Sequence, residues 1–420
     1  MRISILRRFH LLAAAVLVTS TATYAEVEQR TVNNGNVILE NVPEIPDNLK
    51  ERLNRYLNTR SAGFRDWTED GTGIYITTRF GNVSQIHKVA SPGAARTQLT
   101  FFDEPIGGVE RRPGSASLTF TMDAGGNEFS QIFLLDPRSG NHTLLSDGES
   151  RNGAVSWSDD GEMMAFQSTR RNDRSNDVWL MDPDEPGSAR MIVESPDGTW
   201  WGPMDWDREG RRLLIANYVS VTDSRMHLLD IESGQLTLLA GDPDSPISVL
   251  GAGADFAGDD RGVFFATDEA GDFTQLAYLD LATGDKKIIT VDIPWDVDGF
   301  VLSDDGTRGA FVVNEGGVHR PYLFDPASHE YRRVENIPVG LIFGSSFSPD
   351  GTRLAMTLNT ANTPSDVFTL ALGDDPLDSG ELTRWTYSEV GGLDTETFVE
   401  PELIHYPTFD EREIPAFVYR

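Results

Sequence analysis

Residues 153–182 read GAVSWSDDGEMMAFQSTRRNDRSNDVWLMD, and much of the chain varies this stretch. Residues 154–157 alternate like a short strand, and Asp159-Asp160-Gly161 is tight-turn chemistry. Residues 163–167 and 177–181 read as a second and a third strand, with a polar tip at 169–176 between them. The apolar runs are too short for helices and are bounded by turn residues, which is strand behaviour.

Two markers repeat outward from here. The third strand ends in an apolar residue followed by Asp at Asp136, Asp182, Asp230, Asp280 and Asp325, spaced by 46, 48, 50 and 45 residues. After three of these comes a turn closed by Gly140, Gly234 or Gly284, where glycine supplies a positive φ without steric cost. The first turn recurs at Asp70-Gly71, Pro113-Gly114, Asp160-Gly161, Glu209-Gly210, Asp259-Asp260-Arg261-Gly262, Asp305-Gly306 and Asp350-Gly351. Seven units of four short strands predict an all-β chain folded as a seven-bladed β-propeller. A sandwich does not repeat a turn motif in this way, and β-helix repeats are much shorter. The blades are expected near residues 64–100, 107–145, 153–193, 203–239, 251–289, 297–334 and 341–385. No strand at either end of the array belongs to the other, so the ring is expected to close by packing.

Composition narrows the function. The chain has 420 residues, no Cys and a formal charge of −31, with four Lys. Without Cys there is no disulfide, thiol nucleophile or Cys-based metal site. The seven His are scattered without ligand spacing, so neither a metal nor another cofactor is expected. The negative field disfavours nucleic acid and anionic membranes. Residues 1–25, with Arg2, Arg7 and Arg8 before a short apolar run, read as a secretory signal peptide that leaves no membrane anchor. Export to the periplasm or the extracellular space is the expectation. Residues 26–60 form an arm. Within it a helix is expected over residues 47–58, and its stripe of Leu49, Leu53, Tyr56 and Leu57 should pack against something outside the ring. Residues 61–385 are the propeller. Residues 386–420 depart from the repeat and end in a hairpin, 403–406 with 414–419.

The blades resemble the TolB-like (WD40-like) propeller repeat, on Trp157-Ser158-Asp159-Asp160-Gly161, Asp177-Val178-Trp179-Leu180-Met181-Asp182 and Phe347-Ser348-Pro349-Asp350-Gly351. The hairpins at 122–136 and 267–280, with the tail SEVGGL (388–393) and PELIHYPTFDEREIPAF (401–417), resemble exported members of the prolyl oligopeptidase family of serine peptidases. That resemblance implies a C-terminal α/β-hydrolase domain carrying a Ser-Asp-His triad, with the Ser in a Gly-x-Ser-x-Gly elbow. No such elbow occurs here; Ser345 and Ser346 follow Gly344, but Phe347 and Ser348 come next. The chain therefore reads as the propeller part of such a peptidase, its tail being the first hairpin of a truncated hydrolase domain. No catalytic residue carries over, and the chain alone is expected to be inactive.

Strand topology tells which end of the ring matters. In a four-strand meander, the start of the first strand, the tip between the second and third, and the end of the fourth share one face. A domain attached through the tail would sit on that face. Substrate-gating candidates there are Glu128 and Arg170 on hairpin tips, and Trp200, Trp201 and Trp295 on inter-blade loops. Acidic groups could hold a peptide's amino end, Arg its carboxylate, and Trp its side chains. Equally, Glu128 could simply make its turn, and the Trp pair could pack between blades. The function expected is that of a substrate-selecting propeller of a peptidase, its partner a peptide held with the hydrolase domain. The alternative is a stand-alone exported propeller that binds a protein partner. A propeller enzyme would need a metal or an acid/base cluster in the channel, and none is legible in the sequence.

Overall fold

The structure is a computed structural model that describes residues 27–420. The signal-peptide reading of residues 1–25 lies outside the described residues. The described residues fall into two compact units, 27–54 and 55–420. In the first, Gln29–Val32 pairs antiparallel with Val37–Glu40. Arg30 holds the hairpin to the following segment by donating to the carbonyls of Val42 and Pro43, both at 3.1 Å.

The arm's helix runs Asp47–Leu57. None of its residues is buried, and Leu57 is 68% exposed, so the stripe is open to solvent here. In its last turn Tyr56 stacks on Phe398 with ring centroids 6.1 Å apart.

Seven four-stranded antiparallel sheets follow, each built from four consecutive strands. The fold is a seven-bladed propeller, as the repeat predicts. In blade 3 the inner strand Asn152–Trp157 pairs with Met164–Ser168, which pairs with Asp177–Met181 and then Arg190–Val193. Inner strands of blades 1 and 2, 2 and 3, 3 and 4, 4 and 5, 6 and 7, and 7 and 1 lie against one another. A separate hydrophobic cluster fills each of the seven interfaces between blades. Each blade thus buries both faces of its sheet, which explains continuous burial in second strands such as Ile74–Thr78 and Gly262–Thr267.

The repeated turn has a chemical lock. In blade 3 the Ser158 hydroxyl donates to Asp160 Oδ1 at 2.7 Å, and Asp160 accepts the Glu162 N–H at 2.9 Å. Gly161 sits at φ +70, where an added Cβ would stand 2.4 Å from the Pro113 carbonyl oxygen of blade 2. The same hydroxyl–carboxylate pair appears at Thr68/Asp70, Ser303/Asp305 and Ser348/Asp350. Blade 5 corrects the sequence reading. There Asp260, at φ +57, takes the left-handed position, and Gly262 already belongs to the second strand. Gly262 is needed because the Tyr278 ring lies across it, 2.2 Å from where a Cβ would be.

No strand is shared between the first and last blades. The ring closes by packing Trp67 edge-on against Trp385, centroids 6.0 Å apart, as the sequence analysis expects. The Trp67 indole N–H donates to the Ser346 carbonyl at 3.2 Å, and Arg353 to the Gly71 carbonyl at 2.7 Å. Among the described residues no helix is long and apolar enough to cross a membrane.

Candidate functional site

The chain enters and leaves the ring on one face. Arg60, just before the first inner strand Ala62–Trp67, pairs with Glu389 at 2.7 Å, just after the last outer strand Ser379–Arg384. Beneath them Asp366 is fully buried. Its carboxylate accepts from Thr386 Oγ1 at 2.6 Å, Ser388 Oγ at 2.7 Å and Arg384 Nη2 at 2.5 Å, with Arg96 of blade 1 at 3.5 Å. Arg96 also donates to the Arg60 carbonyl at 2.8 Å. First blade, last blade and tail are thus tied through one carboxylate.

The tail hairpin, Glu402–Pro407 with Glu413–Val418, is a separate two-stranded sheet. It rests on the tip of blade 6, where Cβ atoms added to Gly316 and Gly317 would lie 3.2 Å from Pro415 and 3.0 Å from Phe417. Asn362 of blade 7 donates to Glu400 at 3.1 Å. The tail therefore covers blades 6 and 7 on the face that carries the hairpin tips. That face also exposes Phe80, Phe129, Val221, Phe343 and Tyr387.

The sequence candidates are spread around this face, and among the described residues no hydrogen bond or ion pair joins any two of them. Glu128 sits at the tip of blade 2 with φ +63; its N–H donates to Asp123, and its carboxylate lies 3.5 Å from Arg151. Arg170 is tied down by Asp147 at 3.3 Å and lies over the Trp179 ring, 4.8 Å from its centroid. Trp200 and Trp201 are not on a loop: they begin the inner strand of blade 4, Trp200–Trp206. Trp201 is buried against His227, centroids 5.0 Å apart, and the Trp200 ring covers Gly202. The packing alternative weighed for this pair therefore describes Trp201. Trp295 does lie on an inter-blade loop, half-buried beside Phe273 and Gly316.

The opposite end of the channel holds what the sequence reading missed. Asp66, Glu110, Asp205 and Asp255 occur near the ends of inner strands, and Asp66, Asp205 and Asp255 each directly precede the aromatic that fills an interface. That shared register is the signal that could have found them. Asp66 accepts the Arg111 N–H at 2.8 Å and Asp205 the Phe256 N–H at 2.7 Å, so each clasps the next blade. Asp159, Asp205, Asp255 and Asp304, from four blades, line one cavity of about 240 Å3. Burial pushes Glu110 up to about 8, with Asp66 adding to it, and Asp255 up to about 6. Asp205 is raised by burial and then by Asp255. An acid cluster thus exists in the channel, contrary to the sequence reading. Among the described residues no group of three or more His, Cys, Asp or Glu is arranged to hold a metal ion.

No protein-family model matches the sequence, and no curated protein does. Solved structures do match. One comes from work on two prolyl endopeptidases and the role of inter-domain dynamics in their catalysis and specificity. It aligns with TM-score 0.69 and 13% identity over 88% of this chain and 56% of its own. The fold is that of a prolyl oligopeptidase propeller. A second match is prolyl oligopeptidase B from Galerina marginata, solved with a hydrolysis and macrocyclization substrate. It aligns with TM-score 0.67 and 14% identity over 93% of this chain and 63% of its own. The chain spans less than two thirds of the length of either enzyme. At such identities the likeness is one of fold.

Proposed function

We propose that this chain is the peptide-handling propeller of an exported serine peptidase of the prolyl oligopeptidase type, working with an α/β-hydrolase domain seated on the face that carries the tail. The observation that carries this reading is the docking of the tail hairpin on the tip of blade 6, through Pro415 and Phe417 against Gly316 and Gly317. A hairpin of two strands is marginal alone, and here it leads the chain onto the face with the exposed apolar set. The fold shared with two prolyl peptidases supports the same reading. Export rests on the basic start and short apolar run of residues 1–25; mature protein should begin at Thr23 or Glu26, and exported material that still begins at Met1 counts against it.

Photo-crosslinking tests the working face. Peptides bearing a benzophenone should attach to the tips and loops around Glu128, Trp295 and Phe343. Attachment confined to the outer strands, or none above background, would overturn peptide handling. Capture of one folded protein in place of peptides would favour the binding-module alternative.

A further inference from the structure

Most inner strands bulge as they pass the channel, and the bulges of blades 1 to 4 hold Arg65, Val109, Val155 and Met204. Blade 7 holds Gly344 and Ser345 there, between Phe343 and Ser346. With no large side chain at that point, a cavity of about 500 Å3 opens between blades 6 and 7. Its walls are Val301 and Val312 on one side and Ile342, Leu354 and Met356 on the other. Interiors are otherwise close-packed. About 150 Å3 is enough for a benzene ring in an apolar cavity.

The rim is built and held. His319 is 8% exposed, and its Nε2 lies 3.0 Å from Asp298 Oδ2. A carboxylate only accepts, so the Nε2 proton faces it. Nδ1 meets both the N–H of Ile342 at 2.9 Å and its carbonyl oxygen at 3.0 Å. It can accept from the first when the ring is neutral and donate to the second when it is charged. The ring of Phe343 stands edge-on to His319 at 5.9 Å and is half exposed. Asn314 adds a hydrogen bond to Asp298 Oδ2 at 3.3 Å. Among the described residues, nothing donates to Asp298 Oδ1, and the Ser345 hydroxyl has no hydrogen-bond partner.

We propose that this alcove takes an aromatic or large aliphatic side chain of a peptide in the channel, with Asp298 Oδ1 accepting a main-chain N–H of that peptide. The inference rests on the peptide-handling reading above. An apolar chamber with few fixed polar groups at its mouth is the usual form of a ligand site. The free polar atom at the mouth is an acceptor, which suits an N–H and repels a carboxylate, so the side chain enters from within a peptide and not beside its carboxyl end.

The test is a fluorine NMR titration of acetyl-Ala-(para-fluoro-Phe)-Ala-amide against the 420-residue chain. Saturable broadening should be displaced by acetyl-Ala-Phe-Ala-amide and not by acetyl-Ala-Ala-Ala-amide. Ser345→Phe fills the alcove and should weaken binding about tenfold or more. Asp298→Asn keeps the shape and should weaken it about threefold. Circular dichroism checks that both variants are folded. Binding unchanged in both variants overturns the alcove and leaves peptide handling standing. Binding of para-fluorotoluene without binding of the peptide overturns the peptide occupant and counts against the reading it rests on. Absence of both signals overturns the site.

Discussion

Glu110 shows how one side chain can set a pH dependence. It lines the channel near Asp66, and burial with that neighbour pushes it up to about 8. An unfolded Glu titrates near 4.3. The folded state therefore binds the proton more tightly, so the contribution to stability is fully present below about pH 4.3 and is lost as pH rises through 8. Glu110→Gln removes the charge that appears in that window. The variant should melt above the parent at pH 9, and the difference should shrink to nothing near pH 4. Equal melting temperatures at both ends would show that Glu110 is well solvated. The sequence made this residue hard to see, because a lone Glu in a strand looks like a solvent-facing one until neighbouring blades close around it. Trp201 teaches the converse: it looks like a binding platform on a loop, yet a strand begins one residue earlier and His227 covers its ring.

Repeat elements were legible because each blade solves the same local problem. A tight turn needs a left-handed residue and an acceptor for its free N–H groups, and Asp-Gly supplies both. The hydroxyl two residues before that Asp was also in plain sight, at Thr68, Ser158, Ser303 and Ser348, although its meaning appears only with the hydrogen bond. Closure of the ring was less legible, since it depends on contacts between residues some 290 positions apart, such as Arg96 with Ser388 at 3.3 Å. A ring without a shared blade relies on those contacts. Asp366 gathers two Arg and two hydroxyls in a fully buried place. Removing one partner of a buried ion pair leaves the rest uncompensated and costs about 3–5 kcal/mol. Asp366→Ala should lower the urea midpoint accordingly, and hydrogen exchange should rise first in the inner strands Ala62–Trp67 and Gly340–Phe347. Loss spread evenly over all blades would show that Asp366 supports the ring as a whole and not this seam in particular.

For the molecule as a whole, the sharpest question is whether this chain can cleave anything by itself. Acyl transfer by the serine route needs a nucleophile, a base free to take its proton, an acid that orients the base, and an oxyanion hole. Six of the seven His lie among the described residues, and five offer no such set. His87 is buried against the Gln85 carbonyl, and His142, His227 and His329 pack on aromatic rings. His405 lies on the tail hairpin, paired across from Pro415. The exception is His319, which faces Asp298 in the chamber that Ser345 also lines. Acid, base and hydroxyl are thus near one another, and the arrangement invites a triad reading. The hydrogen bonds argue against it. Asp298 takes Nε2, and the Ile342 backbone takes Nδ1. No nitrogen is left to receive a proton from Ser345, and among the described residues no hydrogen bond joins the hydroxyl to the ring. A working triad spends one nitrogen on the acid and keeps the other for the nucleophile. The 420-residue chain should therefore resist labelling by a fluorophosphonate and should leave proline-containing peptides intact over hours. Stoichiometric labelling of Ser345, abolished in Ser345→Ala and in His319→Gln, would sink this expectation and turn the alcove into an active site.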